Sequence, residues 1–70
     1  MIFCALYAVK VNDVSSLMKK AREAGLKWKF QYILDGKDYG LLVGPEREPL
    51  VKFLVEALGF SHENAEKEVR

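Results

Sequence analysis

Seventy residues allow one domain, spanning 1–70, and a chain this short buries only about 60% of its unfolded surface, so one core needs reinforcement. A single cysteine and a single histidine exclude an internal disulfide and a four-ligand zinc site, and no metal or cofactor is expected. The net charge of +1 excludes the overall positive excess of a strongly basic nucleic-acid-binding chain, while half of the residues are apolar.

The first strand is expected over residues 2–11. Ile2, Cys4, Leu6 and Ala8 share one side and Phe3, Ala5, Tyr7 and Val9 the other, so both sides are apolar. This opening stretch has no charged region before it and reads as a strand, not a signal peptide. Asn12 or Asp13 then caps a helix through its side chain. Val14, Leu17, Met18, Ala21 and Ala24 form its apolar stripe, and Gly25 ends it.

A β-hairpin follows over residues 26–43. Asp35-Gly36 supplies a type I′ turn, which pairs Leu34 with Lys37, Tyr32 with Tyr39, Phe30 with Leu41 and Trp28 with Val43. Strict alternation places Trp28, Phe30, Tyr32, Tyr39 and Leu41 on one face. Their opposites include Lys29 and Asp38, which cost several kcal/mol to bury unpaired. The rings are therefore expected to face the helices, leaving Ile33 and Leu42 on the open side.

Gly44-Pro45 stops the third strand, and a second helix starts between Pro45 and Pro49. From Leu50 to Leu58 only Lys52 and Glu56 are polar, so this helix is apolar nearly all round and expected to be buried on several sides. Gly59 ends it, and Ser61 caps a short third helix. The fold class is an α/β (α+β) sandwich of order β-α-β-β-α-α. It has a three-stranded antiparallel sheet of order 2-3-1 and helices on one face, ferredoxin-like but lacking the fourth strand. The first strand is left with an open edge.

Small size, high apolar content and no cross-link point to burial between chains, and a homodimer is expected. Candidate partner faces are the strand-one edge, the open sheet face (Ile2, Cys4, Leu6, Ile33, Leu42) and the surplus apolar side of the second helix (Val51, Val55). The charge is uneven: residues 1–30 hold six Lys/Arg and two Asp/Glu, residues 31–70 five and eight. A basic patch of Lys19, Lys20, Arg22, Lys27 and Lys29 is one consequence to test.

Lys37-Asp38-Tyr39-Gly40-Leu41-Leu42-Val43 resembles the third-strand signature of RNA-recognition motifs, and Ile2-Phe3-Cys4-Ala5-Leu6 is similar to its first-strand partner. That resemblance implies single-stranded RNA stacked on Phe3 and Tyr39, with Lys27 and Lys29 nearby. The pattern departs at Asp38, where the family has Gly, and at Leu41, where it prefers an aromatic. The β-α-β-β-α order before Gly44-Pro45 is also similar to ACT and SPOR domains, both of which need a final strand. Leu58-Gly59-Phe60 looks like the binding turn of ubiquitin-associated modules, although the third helix of that module is missing.

Catalytic chemistry has little support. Ser61 and His62 are neighbours at a helix start, Cys4 lacks a neighbouring cation, and Tyr7 and Tyr39 complete a sparse set. The expectation is a non-enzymatic, cytoplasmic interaction or regulatory module that binds a protein or a small ligand. Nucleic-acid binding is the alternative, and no membrane segment is seen.

Overall fold

Asp35 and Gly36 adopt φ of 51° and 75°, the pair of positive values that a two-residue type I′ turn needs. The chain folds back on itself there. In the computed structural model, which describes all 70 residues, the hairpin strands are β2 (Lys27–Leu34) and β3 (Lys37–Gly44). β1 (Phe3–Lys10) pairs antiparallel with the far side of β3, giving the expected order β1-β3-β2. Three helices complete an α+β fold: α1 (Val14–Glu23), α2 (Arg47–Glu56) and α3 (His62–Glu68). None is long and apolar enough to cross a membrane.

The ends of the elements follow local chemistry, with one correction. Ser61 Oγ accepts the Asn64 N–H at 3.1 Å and starts α3 as expected. α1 ends in a Schellman pair, Leu26 N–H to the Ala21 carbonyl and Gly25 N–H to that of Arg22. Its start has no side-chain cap. A single 3₁₀ turn over Val11–Asp13 runs straight into α1, and the Val14 N–H bonds the Val11 carbonyl, so neither Asn12 nor Asp13 is used. The same turn ends β1 one residue earlier than expected.

The core lies between one side of the sheet and the helices. Ala5 and Val9 of β1 and Leu42 of β3 meet Leu17 and Ala21 of α1 and Leu50, Val51, Phe53 and Leu54 of α2. Leu42, Leu50 and Leu54 are wholly buried, each worth about 1.5–3 kcal/mol of transfer free energy. Val51, expected on a free side of the second helix, is core, and Val55 is half-buried against it. The chain uses this surplus itself: α3 folds back on α2 and buries Ala65 and Val69.

Arg47 locks that return. Its Nη1 donates to Glu66 Oε1 at 2.5 Å and its Nη2 to the Glu66 carbonyl at 2.8 Å, while His62 Nε2 lies 3.5 Å from Glu66 Oε2. α3 then delivers the extended Val69 and Arg70 to the outer edge of β1. There the Cys4 N–H donates to the Arg70 carbonyl and the Arg70 N–H to the Cys4 carbonyl, both at 2.8 Å. The strand-one edge is therefore only partly open, because the polar tail covers its first residues.

Arg47→Ala should lower stability by about 1 kcal/mol, since the pair is near 40% exposed and partly screened. That is a fall of about 4–8 °C in Tm. The Arg70 amide should lose exchange protection before the amides of β3 do. Equal loss at both sites would show that α3 and the sheet open together and that Arg47 is not a local latch.

Hairpin register holds only near the turn. Leu34 faces Lys37, Ile33 faces Asp38 and Tyr32 faces Tyr39, as alternation predicts. A β-bulge between Phe30 and Tyr32 then shifts the ladder by one, so Phe30 faces Gly40 and Trp28 faces Leu42. Trp28 and Phe30 point to the helix side, whereas Tyr32, Tyr39 and Leu41 turn to the open side. Leu42 is thus not on the open face: it is fully buried opposite Ala5. Ile33 shares the helix side with Asp38 but remains 60% exposed.

Candidate functional site

Cross-strand pairing lays out the uncovered side of the sheet row by row. Val43 is flanked by Cys4 and Lys27, Leu41 by Leu6 and Lys29, Tyr39 by Ala8 and Tyr32, and Lys37 by Lys10 and Leu34. None of these side chains is buried, and Leu6, Tyr32 and Leu34 are each about half exposed. The face has an apolar centre on β1 and β3 and a cationic rim. It spans roughly 20 Å along the strands.

Its aromatic part is a stacked pair. The Tyr32 and Tyr39 rings lie 4.9 Å apart and 6° from parallel. The pair stands between Lys37 and Lys10 at one end of the face and Lys29 and Lys27 at the other. These four lysines face no carboxylate on this side. Arg70, paired opposite Cys4, adds a fifth cation at the strand-one edge of this face; the other six basic residues and all ten acidic ones lie elsewhere, leaving the rest of the molecule at −4.

The expected sites are divided by this geometry. Cys4, Leu6, Lys27, Lys29 and Tyr39 are brought together on the open face, and Ile2, 72% exposed, precedes it. Phe3 is not with them. Alternation along β1 puts it beside Ala5 on the helix side, packed against the core, so the Phe3–Tyr39 platform does not form. The five-residue basic patch also divides: Lys19, Lys20 and Arg22 belong to α1, and Lys27 and Lys29 belong to the sheet.

Tyr32, Lys10 and Lys37 were missed as site residues. The type I′ turn carried the signal for Tyr32 and Lys37, because register near a tight turn is fixed before any bulge intervenes. Lys10 needed the β1–β3 register, which no turn specifies.

The groups considered for catalysis are dispersed. Tyr7 packs its ring 6.1 Å from Phe60 on the helix side, Tyr39 and Cys4 sit on the open face, and His62 is on α3. A groove between α1 and α2 is lined by charges of both signs, Lys20, Glu23, Glu48, Lys52 and Glu56 among them. The chain matches no protein-family model, no curated protein and no solved structure.

Proposed function

We propose that this chain is a non-catalytic binding module whose open sheet face takes a short, unstacked stretch of single-stranded nucleic acid. The observation that carries this reading is the segregation of charge: Lys10, Lys27, Lys29 and Lys37 surround the Tyr32–Tyr39 stack, with no carboxylate on the same face. Every base has a π-face that can stack on an exposed ring, and phosphates between bases meet the ammonium groups. The architecture is read as ferredoxin-like, with Arg70 standing where a fourth strand would begin. A face-to-face homodimer is disfavoured by the same segregation, since it would bring eight lysines together without an acid between them.

Fluorescence anisotropy with a labelled oligonucleotide of about eight residues tests the reading. Binding should weaken about tenfold or more in Tyr39→Ala, because one stacked base is worth about 1–3 kcal/mol. A glutamate-rich peptide of equal length separates this occupant from an acidic protein segment. Tighter binding of the peptide, or no nucleic-acid binding at about 0.1 mM protein, would overturn the proposal.

A further inference from the structure

One row of the open sheet face is filled unequally. Tyr32 and Tyr39 stand side by side in it, and the third place, on β1, holds Ala8. Two parallel rings on adjacent strands leave the outer face of Tyr39 turned towards β1. Neighbouring strands lie about 4.8 Å apart, so the space above the Ala8 methyl continues the stack at nearly the 4.9 Å that separates the two tyrosines. Leu6 and Lys10 border that space along β1, roughly 14 Å from one another. The C-terminal tail does not cover it. Arg70 is paired two rows away at Cys4, and Val69 before it is buried in the core on the helix side.

We propose, resting on nucleic-acid binding by this face, that the slot over Ala8 holds one base stacked on the free face of Tyr39, with its phosphate on Lys10 and Lys37. The base completes a three-ring stack with Tyr39 and Tyr32. Ala8 keeps the place free, because it is the smallest side chain on the face. A leucine there, like Leu6 in the next row, would fill it.

Charge gives the slot a direction. Lys10 and Lys37 are cross-strand partners at one end, and like charges directly opposite repel, so an anion between them relieves that cost. Asp35 of the turn borders the hollow beside them, yet the ion pairs of the molecule are all made by α3 residues and include neither lysine. At the other end Leu6 faces Leu41, an apolar wall with nothing to offer a phosphate.

Fluorescence anisotropy with a labelled deoxyadenylate strand of about eight residues tests the slot. Ala8→Leu should weaken binding about tenfold or more, the worth of one stacked base, and leave the salt slope unchanged because no charge is altered. Ala8→Ser keeps the slot open and should bind within about twofold of the parent. Ala8→Leu combined with Tyr39→Ala should be little weaker than either alone, since both remove the same base. In the parent protein the Ala8 and Leu6 methyl resonances should shift as the strand is added, a readout that needs no substitution. Circular dichroism confirms the fold of each variant. If the parent binds, and Ala8→Leu binds equally well while Tyr39→Ala is weakened, the slot is overturned and nucleic-acid binding by the face stands. Methyl resonances that stay in place in a protein that binds would overturn the slot in the same way. If the parent binds no strand at about 0.1 mM protein, slot and nucleic-acid binding fall together.

Discussion

Gly40→Ala is expected to destabilise the fold by about 1–3 kcal/mol, lowering Tm by roughly 10 °C. A Cβ at this position would lie 2.6 Å from Trp28 Cζ2, 2.9 Å from Trp28 Cε2 and 2.7 Å from the Lys29 carbonyl oxygen. The indole can tilt, but the carbonyl belongs to the neighbouring strand beside the bulge, so relief there means moving the ladder. A 70-residue domain has only about 4–10 kcal/mol of stability, and this loss is a large part of it. Thermal denaturation followed by circular dichroism measures the effect. The same substitution in a Trp28→Leu background should cost less, because one of the two obstacles has gone. A Gly40→Ala variant melting within about 2 °C of the parent would show that the sheet yields freely here.

Gly40 also explains which parts of the fold could be read from the sequence. The turn at Asp35-Gly36, the strand order and the Ser61 cap each follow from local rules acting over a few residues, as does the Leu17–Ala21 contact of α1, although Met18 and Ala24 of its expected apolar stripe are exposed. The bulge does not. It depends on three layers agreeing at once: Leu42 must sit opposite Ala5, Trp28 must cover Gly40, and Leu26 must cover Gly44. Gly40, Leu42 and Gly44 alternate along β3, and two glycines on one side of a strand signal close approach from above. That signal was present, but the solvation cost of Lys29 and Asp38 pointed to a uniform aromatic face. The bulge meets half of that objection by leaving Lys29 in solvent. Asp38 stays half-buried with Oδ1 unpartnered, as does Trp28 Nε1 on the same side of the sheet.

The behaviour of α3 was illegible for a related reason. Residues 61–70 carry only two apolar positions that suit a core, Ala65 and Val69, and they read as a weak surface helix. Their docking rests on long-range partners, Arg47 for Glu66 and Cys4 for Arg70, that no periodicity within the segment reveals. These contacts convert the expected open edge into a bounded one.

Affinity for single-stranded nucleic acid should fall about 50-fold between 50 and 200 mM salt if all four sheet lysines meet phosphates. Each contact on a single strand contributes about −0.7 to the slope of log K against log salt, which makes the expected slope about −2.8. Replacing Lys29 and Lys37 with Gln should halve the slope to about −1.4 and leave only a sevenfold fall over the same range. Tyr32→Ala should behave differently. It removes stacking without removing charge, so affinity drops at every salt concentration and the slope is unchanged. Lys19→Gln with Lys20→Gln provides the contrast, because both residues lie on α1, away from the face. Should the α1 pair flatten the slope as much as Lys29 and Lys37 do, the binding surface is not the sheet. A slope near zero with tight binding would point to an apolar occupant over Leu6, Leu41 and Val43. The slope reports phosphate neutralisation and the intercept reports stacking, so the two halves of this face can be tested independently on one set of titrations.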